Sequence, residues 1–408
     1  MLNVIWILFF LLSFAAACYQ AFFGGSPLIW TELVNALFAS AKSAFTIAIN
    51  LTGMLCLWLG LLKIAEKSGV TDMLARGLAP LFKKIMPEIP ERHPAIGSMV
   101  MNIAANMLGL DNAATPMGLK AMEQMQQLNP RKDTASNAEI MFMVINASAV
   151  TIIPINILMY RAELGSANPC AVFIPILIAT SASSLAGFLA VALVQKLPIF
   201  NRVVLAYLLG FAAFIGGLAY YFANLDDASR LTYSESAGNF ILFLIIAAFI
   251  GFGAVKRLNV YETFITGAKE GFDIAVKIIP YLVAMLTAIA VLRASGVMDM
   301  FVLSIERLVT WFNADTGFVP ALPTAFIKPL SGSGARAMMI ETLQTYGADS
   351  FAGFVSSVIQ GSTETTFYVL AVYFGAIKVV KIRHALPCAL FADLIGIMTA
   401  IYVSYLFY

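Results

Sequence analysis

Two stretches of this chain occur twice, and both recur in one register. Ala41–Ala48 (AKSAFTIA) returns as Ala268–Ala275 (AKEGFDIA), and Ser68–Met73 (SGVTDM) returns as Ser295–Met300 (SGVMDM). Both copies lie on strongly apolar segments. A duplicated apolar module points to a membrane protein built from two repeats, an arrangement that often places a transport site where the repeats meet.

Composition limits where such a module can live. The chain has 408 residues, 60% hydrophobic and only 12% charged. A soluble globule is about 25% charged, so this chain must be polytopic in a bilayer. Apolar runs mark nine spans, near 2–23, 45–65, 138–160, 170–195, 203–223, 238–255, 274–293, 352–377 and 385–407. The first lacks the basic flank of a signal peptide and reads as a retained span. Two further apolar stretches, 94–126 and 318–346, are broken by Gly109–Pro116 and Pro329–Gly334. Such interruptions suit re-entrant hairpins, because irregular backbone survives at membrane depth only inside protein or beside a cavity.

Charge predicts sidedness. With the N-terminus inside, the inner segments collect Lys63, Lys67, Arg76, Lys83, Lys84, Arg131, Lys132, Lys256, Arg257, Lys378, Lys381 and Arg383. The outer segments carry few basic residues and much acid, including Asp226, Asp227, Asp299 and Glu306. The C-terminus then falls outside. Each repeat holds four spans and one hairpin, an odd count if the hairpin does not cross, so the second copy is inverted. The expected architecture is an all-α polytopic membrane protein of two inverted-topology repeats, each with a re-entrant hairpin and a discontinuous transmembrane helix. The first repeat occupies 1–200; the second, preceded by a spacer span at 203–223, occupies 201–408. Segments 127–137 and 226–236 read as loops, and 73–84 as an amphipathic surface helix matched by 301–312.

Polar residues at membrane depth are costly and ask for a reason. Four clusters qualify. The first hairpin tip offers Asp111, Asn112 and Thr115, with Asn102 and Asn106 on one face of the helix before it. Pro116 suits the first turn of a new helix with Thr115 as its cap. The second tip offers Ser331, Ser333 and Arg336; either serine could cap the next helix, and Arg336 either grips an anion or pairs with Glu341 or Glu364. Lys328 is either a solute contact or a snorkelling side chain. The third cluster is Asn146, Ser148 and Thr151, ahead of a helix-breaking Pro154. The fourth is Gln360, Ser362, Thr363, Glu364 and Thr365, which aligns with the third. Glu364 is the leading candidate for proton or cation coupling and Asp393 the second, a solvated place at the inner interface being the alternative for Asp393.

Enzyme signatures are missing. There is no phosphate-binding GxxxxGK[ST], no HExxH and no GxSxG. Four scattered cysteines and two histidines offer neither a disulfide framework nor a metal set. No basic tract with interleaved aromatics points to nucleic acid. No enzyme activity, cofactor or metal is expected.

Asn106–Met122 (NMLGLDNAATPMGLKAM) resembles the signature of spore maturation protein A, and Pro329–Arg336 (PLSGSGAR) resembles that of spore maturation protein B. The chain is similar to both families joined head to tail. These belong with the nucleoside recognition, or gate-type, membrane domains, which are similar to modules of concentrative nucleoside and ferrous-iron transporters. The resemblance implies paired hairpins and broken helices meeting at mid-membrane, with tips at Asp111–Pro116 and Ser331–Arg336 and breaks at Asn146–Thr151 and Gln360–Thr365. The acidic hairpin motif and the Asn-Glu pair of nucleoside carriers are absent. The solute class therefore stays open among amino acids, short peptides, nucleosides and dicarboxylates.

The expected function is secondary transport of a small polar or anionic solute across a bacterial inner membrane, by alternating access, with the solute held between the hairpin tips. Proton or sodium coupling, lipid contact and homo-oligomers are the expected partnerships. A channel and a non-transporting scaffold are the alternatives.

Overall fold

The structure, a computed structural model, describes residues 2–90, 92–108, 111–148, 150–197 and 200–408; the side chains of 2, 111–113, 227–231 and 235 lie outside the described residues. Among the described residues it is all helical, apart from one isolated bridge between Thr134 and Lys381. The first half runs α1 (Leu2–Phe22), α2 (Ile29–Ser68), α3 (Val70–Ile85), α4 (Pro94–Met107), α5 (Asp111–Leu128), α6 (Asn137–Ala147), α7 (Ile155–Glu163) and α8 (Phe173–Gln195). After α9 (Arg202–Ala223) the same order returns: α10 (Asp227–Val255), α11 (Val260–Ala294), α12 (Val297–Trp311), α13 (Leu322–Ile327), α14 (Gly332–Tyr346), α15 (Phe351–Ser362), α16 (Thr366–Ala376) and α17 (Ala385–Phe407).

Seven of the described helices are long and apolar enough to cross a membrane, including α1, α2, α9, α10, α11 and α17; the seventh is the segment Pro169–Gln195. The chain is a multi-pass membrane protein. The apolar window of the α8 segment is 61% buried and that of α9 only 6%, so α8 is an interior helix while α9 leaves most of its side chains uncovered by the rest of the chain. The remaining two expected spans are each divided in two. One breaks between α6 and α7, the other between α15 and α16.

The repeated Ser-Gly has a structural meaning. Gly69 (φ 81°) and Gly296 (φ 73°) are both left-handed and open α3 and α12, a conformation costly for any side chain. The serine before each glycine is buried and donates to the turn behind it, Ser68 to the Ala65 carbonyl (3.1 Å) and Ser295 to that of Leu292 (2.9 Å). The sequence repeat therefore encodes a corner between a long helix and an amphipathic one. On α3 the residues Val70, Ala75, Phe82 and Ile85 are buried while Lys83 and Lys84 are exposed.

Two expectations about helix starts are corrected. Segment 226–236 is not a loop, because α10 begins at Asp227. Nor does Thr115 cap a helix with Pro116 in its first turn; α5 begins at Asp111 and carries Pro116 inside it. The apolar pattern placed α2 at 45–65 and α11 at 274–293, and both extend further, to 40 and 35 residues. At 1.5 Å per residue α2 is about 60 Å long, twice the hydrocarbon thickness of a bilayer.

The chain divides into two compact units that do not follow the linear repeats. Unit 1 comprises 1–59, 156–169 and 268–360; unit 2 comprises 60–155, 170–267 and 361–408. Each unit thus takes one hairpin and one half of each broken helix. Unit 2 holds α4–α5, α6 and α16; unit 1 holds α13–α14, α15 and nearly all of α7. Within unit 2, α17 packs along α8 through small residues. A Cβ on Gly187 would lie 3.1 Å from that of Ala392, and one on Gly396 would lie 2.9 Å from that of Ser183, the close approach that drives helix packing where no hydrophobic effect operates.

In unit 1 a Cβ on Gly271 would lie 2.7 Å from the Leu55 carbonyl oxygen and 2.8 Å from the Cys56 backbone. These are rigid neighbours, so Gly271→Ala is expected to lower the melting temperature of the purified protein. Gly251→Ala, where a Cβ meets nothing within 4 Å, is expected to leave it unchanged or raise it.

Candidate functional site

Unwinding a helix in a membrane exposes backbone groups that must find partners in protein. The break after α6 begins where side chains compete for the helix's own carbonyls. Asn146 Nδ2 donates to the Phe142 carbonyl (2.9 Å) and Ser148 Oγ to that of Val144 (2.9 Å). Pro154 then removes a donor just before α7. The freed groups are met from other elements of unit 2. The Ile152 N–H donates to the Met107 carbonyl (2.9 Å), the Thr151 N–H to Thr180 Oγ1 (3.3 Å), and Ser184 Oγ to the Ser148 carbonyl. The Glu364 N–H, from the second break, donates to the Ala147 carbonyl (2.9 Å). That bond ties the break after α15 to the end of α6.

Beside these breaks lies a buried network of uncharged groups. Asn102, fully buried on α4, donates through Nδ2 to the Ala114 carbonyl (2.8 Å) and the Tyr373 hydroxyl (3.2 Å). Asn106 Nδ2 donates to Asn146 Oδ1 (2.8 Å), which also accepts from the Tyr373 hydroxyl (3.4 Å). Asn102 Oδ1 has no donor among the described residues. A buried amide oxygen without a partner costs about 1–3 kcal/mol, so this atom calls for a donor, a water or a ligand, to complete it. Tyr373 was not singled out from sequence; it reads as one aromatic in an apolar run. Only a glycine fits at position 118 of α5, where a Cβ would meet the Tyr373 hydroxyl oxygen.

The sequence-predicted residues of unit 2 divide clearly. Asn106, Asn146, Ser148 and Thr151 join the network or the break around it. The side chains of Asp111 and Asn112 lie outside the described residues, and Thr115 sits inside α5. Ser362 and Thr363 are buried, and Thr363 Oγ1 has no partner among the described residues. Glu364 is exposed. Asp393 is buried, at 2% exposure, rather than solvated, and its Oδ2 accepts from Thr366 Oγ1 (2.7 Å).

Unit 1 has a different character. Ser331 caps α14, accepting from the Gly334 N–H (3.0 Å), and its Oγ lies 3.3 Å from Ser333 Oγ. Lys328 is buried and its Nζ donates to the Gln360 carbonyl (2.8 Å), so it does not snorkel; Gln360 Oε1 has no partner among the described residues. Arg336 lies over the Tyr160 ring (5.9 Å). Its expected alternative partner Glu341 is instead paired with Arg293 and accepts from Thr345 (2.8 Å). The strongest anchor here escaped the sequence reading. Arg161, 1% exposed, donates to the Ala348 carbonyl (2.7 Å), Ser357 Oγ (3.3 Å), Ser166 Oγ (3.1 Å) and Asp349 Oδ1 (3.0 Å). It holds α7 against the start and body of α15, and its partners are too far away in sequence for any local pattern to expose them.

Outside the spans, the loop before α6 is tied to Lys381. Lys381 Nζ lies 3.2 Å from Asp133 Oδ2. The Thr134 hydroxyl first, and then Lys381, hold the Asp133 carboxyl below its ordinary range. Among the described residues no three His, Cys, Asp or Glu side chains cluster as a metal site would require.

The hairpins and breaks are also where the comparisons fall. The model of the Gate family, described as nucleoside recognition, matches residues 48–167 and 275–379, more than half of the chain. The chain belongs to the Gate family. Each matched segment contains one hairpin and one broken helix. Spore maturation protein B of Bacillus subtilis (strain 168) is 45% identical over 160 residues, covering 39% of this chain and 88% of that protein. Spore maturation protein A of the same organism is 37% identical over 189 residues, covering 46% of this chain and 93% of that protein. Similarity to both accords with a Gate-family chain in which A-like and B-like parts are fused. No solved structure matches it.

Arg161→Ala removes four hydrogen bonds made by one buried cation and is expected to destabilise the protein by about 2–3 kcal/mol. Arg336→Ala, which loses a single ring contact, is expected to cost less than about 1 kcal/mol. Thermal unfolding of the two purified variants, run side by side, checks the difference.

Proposed function

We propose that this Gate-family chain is a secondary transporter carrying a small polar solute across a bacterial inner membrane, and that Asn102, Asn106, Asn146 and Tyr373 of unit 2 recognise the solute. The observation behind this reading is the unpartnered Asn102 oxygen within a buried, uncharged network beside two broken helices. Transport proteins recurrently place solute sites at discontinuous helices, where free backbone groups and permissive packing coincide. A site of amides and a phenol offers both donors and acceptors without charge. It suits a neutral, hydrogen-bonding solute better than a dicarboxylate, since an unneutralised anion buried there would be costly. Among the solutes left open by the sequence, a nucleoside fits that requirement, and the description of the family as nucleoside recognition agrees with it. The reading is of a carrier, not an enzyme.

In this proposal the N-terminus is cytoplasmic and the C-terminus lies outside, following the excess of lysine and arginine on the inner segments. A tag placed after Tyr408 is then protease-accessible in intact spheroplasts, and a tag before Met1 is not; the reverse result contradicts the orientation.

Uptake into proteoliposomes tests the function. The expected outcome is saturable uptake of a nucleoside with counterflow, and a KM raised about tenfold in Asn146→Ala, the equivalent of one lost hydrogen bond of about 1.4 kcal/mol. Non-saturating flux without counterflow would identify a channel. A folded Asn146→Ala protein with unaltered uptake would remove the network from the site.

A further inference from the structure

Three links between helices of unit 2 meet around a cavity of about 600 Å³. The link from α3 to α4 brings Glu88 and Ile89, the link from α5 to α6 brings Arg131 and Thr134, and the link from α16 to α17 brings Arg383. These links are bonded to one another and within themselves. Asn129, 5% exposed, donates through Nδ2 to the Thr134 carbonyl (2.9 Å) and to Glu139 Oε2 (3.2 Å), and its Oδ1 accepts from the Arg131 N–H (3.0 Å). The Ala135 N–H donates to the Lys381 carbonyl (3.0 Å). Arg383 Nη1 donates to the Ala135 carbonyl (3.0 Å) and to Asn137 Oδ1 (2.9 Å). It does so from a left-handed backbone, φ 52°, a conformation unfavourable for any residue with a side chain. Protein bonds therefore set the shape of the cavity.

Its charge is unbalanced. The lining carries Arg131 and Arg383 against Glu88. Glu88 Oε2 already accepts from the Ala138 N–H (3.2 Å) at the start of α6. Among the described residues no carboxylate forms an ion pair with either arginine. A guanidinium keeps its charge at any physiological pH and presents a fork of N–H donors. Two such forks from different links suit an anion with more oxygens than a carboxylate has, and phosphate is that anion. The volume suits an organic body rather than a bare ion, and Met125 and Leu128 give it an apolar wall.

We propose that this cavity binds a small phosphate ester, with the phosphate between Arg131 and Arg383 and the body against Met125 and Leu128. Either a soluble ester or the headgroup of a phospholipid presents this chemistry. The site is separate from the neutral network of the solute. Asn137 stands at the start of α6 and Asn146 near its end, about 13 Å further along the helix axis.

Calorimetric titration of the purified full-length protein in a phosphate-free detergent reads the binding without transport. Glycerol 3-phosphate is the soluble probe, glycerate its carboxylate counterpart, and phosphatidylglycerol in mixed micelles the lipid probe. Saturable binding of a phosphate probe is expected, weakened about tenfold in Arg131→Ala and in Arg383→Ala. Lys67→Ala removes an exposed cation outside the lining and is expected to bind as the wild type does. Arg131→Ala keeps the backbone bond to Asn129, so it keeps the test decisive if Arg383→Ala does not fold. Binding of glycerol 3-phosphate identifies a soluble ester and binding of phosphatidylglycerol a lipid headgroup; each supports the site. Binding of neither probe overturns the proposal, as does glycerate binding as tightly as glycerol 3-phosphate. Wild-type affinity in Arg131→Ala, or an equal loss in Lys67→Ala, overturns it too.

Discussion

Everything in this structure turns on one requirement: backbone that leaves a helix inside a membrane must be hydrogen-bonded by protein. The chain breaks two helices and meets the requirement with few bonds. In unit 2 the Glu364 N–H donates to the Ala147 carbonyl, so one break supplies the partner for the other. Met107, at the end of α4, and Thr180 and Ser184, on α8, supply the rest. The hairpin, α8 and α16 are therefore held around the unwound segment. The polar side chains of Asn102, Asn146 and Tyr373 are carried there by elements already needed to satisfy the backbone.

The duplication sets how this is built. Each repeat supplies a hairpin and a broken helix, yet neither compact unit is a repeat. The chain passes from unit 2 to unit 1 just past its first break, and from unit 1 to unit 2 at its second. Half-helices from different repeats thus share a unit. Chemistry then differs between the units. Among the described residues, unit 2 gathers neutral amides and the buried carboxyl side chains of Glu139 and Asp393, while unit 1 gathers Lys328, Arg336, Glu341 and the buried Arg161.

The sequence announced what local chemistry controls. The repeated Ser-Gly, the break before Pro154, a serine cap at Ser331 or Ser333 and the amphipathic α3 all depend on residues within one or two turns of each other. The break at 363–365 was legible only by alignment with Asn146–Thr151, since no proline marks it. Local reasoning failed in two ways. Thr115-Pro116 matched a helix start, but α5 begins at Asp111. Residues whose partners lie far along the chain left no pattern: Tyr373, Thr366, Ser184 and Arg161 each act across long sequence separations. Of the charges singled out in the sequence, Glu364 is exposed and Arg336 lies over the Tyr160 ring.

The central claim is that the neutral centre of unit 2 is a ligand site. A density map of the full chain purified with a saturating nucleoside tests it most directly. The account predicts ligand density within about 3 Å of Asn102 Oδ1 and of the Asn146 side chain. A map in which a protein group fills that position, with the nucleoside bound elsewhere or absent, would contradict it.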